Sequence, residues 1–246
     1  MKIALIGATG YVGARVLERL LDRGHNVTAI VRRPEALGQR DGLTAIAVDI
    51  QDPDRLLGAP CDPDRIMRAV QGHDTVISCF NPGHDLIANP NLYRDVIEGT
   101  RTIIDGVKRS GVKRMLYLGG AGSLRAPSGL MLVDDFEYFG KLVSDPPKGS
   151  FIPEGPPIID IPRAARIALY LFELERELEW TFMSPSLYMG DHGGGTGRLR
   201  YGTDELLLDD AGLSAKLDIE DLAQAIVEQT ENPIGTRNHI TVATQY

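Results

Sequence analysis

The amino-acid sequence predicts an α/β fold: a doubly wound, mostly parallel sheet with helices on both faces. Three observations carry this expectation. Apolar runs of strand length alternate with helical patterns through the first half of the chain. The runs are nearly continuous in apolar residues, as strands covered on both faces must be. The first run also ends in glycines at 7, 10 and 13, directly before a helical pattern.

The elements follow in order. "KIALIG" (2–7) is a strand. In "YVGARVLERLLDRG", Val12, Val16, Leu17, Leu20 and Leu21 share one helical face, and Gly24 is the stop. "NVTAIVR" (26–32) and "LTAIAVDI" (43–50) read as the second and third strands. "PDRIMRAVQG" (63–72) is a helix closed by Gly72, and "DTVISCF" (74–80) is the fourth strand. A longer helix is expected over about 90–110, with Asn89 and Pro90 as N-cap and first-turn proline and Leu92, Val96, Ile103, Ile104 and Val107 as the buried stripe. "VKRMLYLGG" (112–120) is the fifth strand. Parallel neighbours joined through helices require right-handed crossovers.

The second half is less regular. Seven of the 15 prolines lie between Ala126 and Pro162, which excludes a long helix or an interior strand there. Such a long ordered connection generally covers a site or moves. Helical pattern returns in "PRAARIALYLFELERELE" (162–179), then a strand in "WTFMSPS" (180–186). "DHGGGTGRLRYG" (191–202) reads as a glycine-rich loop, "DIEDLAQAIVEQ" (218–229) as an Asp-capped helix and "HITVAT" (239–244) as the last strand.

Composition bounds the function. A length of 246 residues suits one large domain, and 43% hydrophobic with 24% charged residues is ordinary for a soluble protein. The net charge of −8 argues against nucleic acid or an anionic membrane as the partner, leaving a small-molecule substrate. No apolar stretch approaches membrane-spanning length and "MKIALIG" is too short for a signal peptide, so a cytoplasmic location is expected. Cys61 and Cys79 match no metal or redox spacing and read as reduced, packed thiols. The five histidines show no ligand spacing, so no metal site is expected. Nothing in the sequence sets the oligomeric state.

The glycines carry the chemistry. A helix start offers unpaired N–H groups and a partial positive charge, which suit a pyrophosphate. Gly7, Gly10 and Gly13 fall where a tight turn, a close phosphate approach and close strand–helix packing require them, with Thr9, Tyr11 and Val12 completing the loop. The tip of the second strand distinguishes the dinucleotides: an acid there holds a ribose hydroxyl, an arginine a 2′-phosphate. Here "IVRRPE" presents Arg32 and Arg33 and no acid at the tip, which favours NADP(H) over NAD(H). Asp49 and Ile50 are suited to the adenine amino group and ring, and Cys79, Phe80 and Asn81 to the next stretch of cofactor.

"GATGYVG", "VRRPE", "DTVISCF", "LYLGGAGSL", "WTFMSPS", "DELLLDDAGLSAKLDIEDLAQAI" and "HITVA" together resemble the atypical short-chain dehydrogenase/reductases. The resemblance is nearest to the NAD(P)H-binding NmrA-like and flavin reductase (biliverdin reductase B)-like subgroup. It covers residues 1 to about 125 and 163–246. It implies a Rossmann-like NAD(P)-binding domain over 1–246, with a proline-rich insertion at about 126–162. It places Gly119, Gly120 and Ala121 beside the nicotinamide ribose and Pro185, Ser186 and Leu187 at the nicotinamide end. Ser123 falls near the position of a hydroxyl that bonds the substrate carbonyl.

The departure concerns the proton donor. The wider superfamily uses Tyr-x-x-x-Lys, in which the lysine lowers the tyrosine pKa. This chain offers Tyr138 and Lys141, one residue short, and "IIDIPRAAR" stands before the long helix instead. Tyr138 and Ser123 are therefore the candidate catalytic residues. His84 with Asp85, and Asp191 with His192, read first as ordinary loop pairs, with acid/base groups as the alternative; Tyr188 and Tyr201 read as pocket walls or as packing. The leading expectation is an NADPH-dependent oxidoreductase passing hydride to a flavin, quinone or enone. The alternatives are a non-catalytic NADP(H)-binding redox sensor or, with little room for its substrate domain, a sugar-nucleotide epimerase or dehydratase. A hydrogen donor beside the nicotinamide supports the enzyme; an apolar, closed pocket supports the sensor.

Overall fold

The computed structural model describes residues 1–51, 62–83, 91–152 and 160–246. Its main sheet has eight strands: β1 (Lys2–Ile6), β2 (Asn26–Val31), β3 (Leu43–Ala47), β4 (Thr75–Ser78), β5 (Arg114–Leu118), β6 (Glu179–Pro185), β8 (Leu199–Gly202) and β10 (Asn238–Thr244). Their order is β3-β2-β1-β4-β5-β6-β10-β8, all parallel except β8, which runs antiparallel to β10. Strand order reverses at β1: β2 and β3 lie on one side of it, β4 and β5 on the other. The crevice at the carboxyl ends there is where such sheets bind ligands.

Helices cover both faces. α1 (Gly13–Asp22) and α6 (Ile219–Glu231) pack together on one side; α2 (Pro63–Val70), α3 (Leu92–Ser110) and α5 (Asp160–Leu174) pack in series on the other. The strands divide their side chains accordingly. Ile3 and Leu5 of β1 join the α1/α6 core, while Ala4 and Ile6 join the core under α2, α3 and α5. That is the period-2 alternation of an extended chain, and with both faces buried it produces an unbroken apolar run. Tyr117, Phe172 and Phe182 stack within the second core, with ring centroids 5.1 to 5.6 Å apart.

The insertion departs from expectation. It holds a nine-residue helix, α4 (Phe136–Ser144), capped by the Asp135 side chain on the Tyr138 N–H. The prolines bracket this helix rather than forbid it, since Pro127 and Pro146 leave the residues between them free of proline. A third apolar cluster seats α4 over the sheet edge, joining Phe139 and Leu142 to Ala121, Leu124, Tyr188 and Leu206.

Four other boundaries differ. The expected glycine-rich loop ends in β8, because its last residues pair with β10. Two short strands the pattern did not reveal, β7 (Tyr188–Gly190) and β9 (Lys216–Asp218), form a separate parallel pair. The helix expected over 162–179 stops at Leu174, where the Glu175 side chain accepts from the Glu177 N–H and turns the chain toward β6. The third strand ends at Ala47, three residues before Ile50. Cys61 and the Asn89–Pro90 cap lie outside the described residues.

Candidate functional site

The glycine loop joins β1 to α1 as a tight turn. Gly7 has φ +81°, and a Cβ there would stand 2.7 Å from the Cys79 carbonyl oxygen. A Cβ on Gly13 would collide with the Gly7 carbonyl, so α1 can begin this close to β1 only with glycine. Gly10 borders open space apart from the Gly7 carbonyl, and its N–H turns back to that oxygen at 3.0 Å. α1 has no side-chain cap and no acid in its first turn. Gly10, Tyr11 and Val12 at its start line the crevice, so its positive end adjoins the space a phosphate would take, although the Ala14 and Arg15 N–H groups already donate to the Gly10 and Val12 carbonyls.

A cleft of about 680 Å³ runs from this loop along the carboxyl ends of the strands. The volume lies inside the range of roughly 300–1,000 Å³ usual for small-molecule sites. On the β2/β3 side its wall includes Arg32, Asp49, Ile50 and Gln51. Arg32 and Arg33 are both exposed at the tip of β2, and neither forms an ion pair among the described residues. Arg33 stands outside the lining. One Asp49 oxygen accepts from the Gln51 N–H at 3.1 Å, so this carboxylate shapes its own turn while lining the cleft.

On the other side lie the ends of β4, β5 and β6. Cys79, Phe80 and Asn81 line the middle, and Asn81 accepts from the Gly83 N–H at 2.8 Å. Burial pushes the Cys79 thiol up to about 12, so it stays protonated and unreactive. Gly119, Gly120 and Ala121, then Pro185, Ser186 and Leu187, form the floor of this half. Gly119 lies against the Phe182 ring, where any larger residue would collide.

The walls of this half come from elements that sequence patterning did not connect to the site. α4 contributes Phe139 and Val143, the start of α5 contributes Ile161 and Pro162, and β7 contributes Met189. A strap at 148–152 pairs with β7, the Phe151 N–H donating to the Met189 carbonyl at 2.7 Å and the Asp191 N–H to the Gly149 carbonyl at 3.0 Å. The strap carries Ile152 into the wall and stacks Phe151 on Tyr11 of the glycine loop, centroids 5.1 Å apart. Arg15 lies over the same tyrosine ring at 4.7 Å. The only sequence signal for these walls was the length of the proline-rich connection, since no local motif marks residues that meet through packing.

Both hydroxyls in the described wall of this half are engaged. Ser144 donates to the Lys141 carbonyl at 2.8 Å, and Ser186 donates to the Ala215 carbonyl beside Ser214. Tyr11 stands at the mouth. Burial raises its pKa, Arg15 opposes that, and Asp191, Asp218 and Glu220 raise it further, which makes it a weak acid.

The two candidate catalytic residues stand elsewhere, and among the described residues neither lines the cleft. The Ser123 hydroxyl is buried, donates to the Gly120 carbonyl at 2.8 Å and meets Ser184 at 2.8 Å; Ser184 in turn contacts His239 Nε2 at 2.8 Å. Burial holds the His239 imidazole down at about 4, so this chain is neutral at pH 7. Tyr138 donates to the Gly212 carbonyl at 2.8 Å, with its ring in the α4 cluster, and burial raises its pKa. Its neighbour Lys141 is exposed. Tyr188 is fully buried and donates to the Leu142 carbonyl, and Tyr201 donates to Glu228, so both serve packing. Asp191 and His192 line a separate hollow with Lys148, Lys216 and Tyr246. His84 and Asp85 lie outside the described residues, and those residues hold no cluster suited to a metal.

The family model for NAD(P)H-binding proteins matches residues 7–233. The chain belongs to this NAD(P)H-binding family. Its fold is the Rossmann-like sheet just described. Among relatives of this family member, the uncharacterised protein YwnB of Bacillus subtilis is 27% identical over 247 aligned residues, covering 100% of this chain and 99% of that one. A candidate epimerase from Bacteroides thetaiotaomicron is 34% identical with a TM-score of 0.79, covering 100% of this chain and 97% of that one. A candidate NADH-flavin reductase from Streptococcus pneumoniae shares the fold over 100% of both chains, with a TM-score of 0.73 and 23% identity. No described helix of this NAD(P)H-binding protein is long and apolar enough to cross a membrane.

Proposed function

We propose that this chain is an NADPH-dependent reductase of small planar acceptors, a flavin or a quinone. One observation carries the reading: a single cleft runs from the glycine loop at the start of α1, past Gly119–Ala121, into an apolar chamber with room for a planar acceptor, where the two described hydroxyls, Ser144 and Ser186, are engaged. The nicotinamide, when bound, supplies hydride chemistry. Gly7, Gly10 and Gly13 admit its pyrophosphate to the helix start, and Arg32 with Arg33 meets a 2′-phosphate. Gly119 to Ala121 and Pro185 to Leu187 form the bed for the nicotinamide half. Phe139, Val143 and Ile152 keep water from the acceptor face.

The engaged hydroxyls of Ser144 and Ser186, among the described residues, select the acceptor. A ketone or aldehyde reduced to an alcohol needs a proton delivered at its oxygen in the same step. A flavin or quinone spreads the incoming charge over its ring and takes its proton from water. The Streptococcus neighbour, described as a candidate NADH-flavin reductase, agrees with this choice. The test is NADPH absorbance in stopped flow against flavins, quinones, enones and aldehydes. Turnover restricted to the first two classes is expected; turnover of aldehydes alone overturns the reading.

The same chamber, with these hydroxyls engaged, favours a second reading, a non-catalytic sensor of the NADP(H) ratio. It predicts different affinities for NADP+ and NADPH with no acceptor reduced, whereas equal affinities exclude it. An epimerase function, suggested by the Bacteroides neighbour, has less support, because no lysine lines the described cleft to assist a tyrosine base.

A further inference from the structure

The two ends of the cleft differ in charge. The β2 end carries Arg32, but no lysine or arginine among the described residues lines the half over β5 and β6. Basic residues from the surrounding elements are directed elsewhere. Arg163 lies over the Phe136 ring at 5.9 Å, Arg166 pairs with Asp134, and Lys148 lines the separate hollow with Lys216. The sequence stretches 84–90 and 153–159 hold His84, Asp85 and Glu154 but neither lysine nor arginine. At the mouth the charges are mixed: Arg15 lies over the Tyr11 ring at 4.7 Å and pairs with Glu220 at 3.0 Å, with Asp191 and Asp218 also in electrostatic reach of Tyr11.

We infer that the acceptor is an uncharged planar ring, a quinone or an unphosphorylated isoalloxazine, and that phosphate-bearing flavins are rejected. The inference rests on the reductase reading and names its substrate class. A phosphate brought against Phe139, Val143 and Ile152 loses water and meets, among the described side chains over β5 and β6, neither a cation nor an unengaged hydroxyl, since Ser144 and Ser186 already donate to backbone carbonyls. The net charge of −8 adds repulsion at the approach. A neutral ring finds apolar faces on both sides. The reaction balances: the acceptor gains a hydride from NADPH and a proton from water, giving NADP+ and the hydroquinone or dihydroflavin.

The experiment pairs binding with turnover. Riboflavin, menadione, FMN and FAD are titrated by calorimetry into the NADP+-loaded protein, and each is then offered with NADPH. Riboflavin is expected to bind about 10 to 100-fold tighter than FMN, as one unpaired buried polar group implies, with kcat/KM in the same order. FMN or FAD binding and turning over as well as riboflavin overturns the inference and leaves the reductase reading intact. Neutral rings that bind selectively while NADPH persists with every acceptor support the ligand class and overturn the reductase. Binding of none of the four overturns the inference itself.

Discussion

At the tip of β2, two arginines stand without an ionic partner among the described residues, although the chain carries a net charge of −8. On the proposed reading they meet a 2′-phosphate, and the expected result is specific. Replacing Arg32 and Arg33 together with alanine weakens NADPH binding about 10 to 100-fold, the worth of charge-assisted hydrogen bonds, and leaves NADH binding within about twofold. Calorimetric titration with both cofactors measures the difference; equal losses for the two would show that the arginines support the fold. Gly13→Ala tests the cradle, because the new methyl meets the Gly7 carbonyl and must push α1 from β1. Loss of dinucleotide binding is expected, together with a lower unfolding temperature in a calorimetric scan. His239 gives a pH signature. Its folded pKa, about 4, lies below the ordinary value of 6.5, so the unfolded chain binds the extra proton first. The stabilisation is complete above pH 6.5 and is lost as pH falls toward 4, by roughly 2–3 kcal/mol. A His239→Gln variant is expected to flatten that part of the stability curve in urea titrations at pH 4.5 and 7.

Among the elements, the strap at 148–152 has the plainest consequence. It holds Phe151 over Tyr11 and bonds to β7, closing the mouth of the cleft from the side opposite α1. A stacked aromatic pair is worth about 0.5–1.5 kcal/mol beyond area burial. Phe151→Ala is therefore expected to speed NADPH release about 2 to 10-fold in a stopped-flow displacement, with the association rate little changed. An unchanged release rate would show that the stack is incidental. The strap and α4 were also the least legible parts of the sequence. Averaged over 126–162 the prolines exclude only a long helix, and they do not point to the short one between Pro127 and Pro146, where Asp135 supplies a cap three residues before Tyr138. β7 and β9 are three residues each, too short to show a period, and they pair across a separation no local pattern encodes.

For the molecule as a whole, the parallel sheet was readable because burial on both faces writes itself as apolar runs such as Ile3–Ile6 and Ala29–Val31. The glycine loop was readable because backbone geometry limits which residues fit between β1 and α1. The acceptor chamber was not. Val143, Ile161 and Met189 come from three separate stretches and meet only when α4, α5 and β7 close over the ends of β5 and β6. Ser123 and Tyr138 illustrate the same limit: their chemistry suited catalysis, but Ser123 is built into a buried chain with Ser184 and Tyr138 into the α4 cluster. The central claim, hydride transfer from NADPH to an acceptor in that chamber, is tested most directly by a single turnover. Protein loaded with one equivalent of NADPH is mixed anaerobically with menadione, and absorbance at the nicotinamide band is followed together with hydroquinone formation. Loss of one NADPH for each hydroquinone, abolished by filling the chamber with Val143→Trp, is the predicted result. NADPH that stays bound and unoxidised with menadione and riboflavin alike would contradict it.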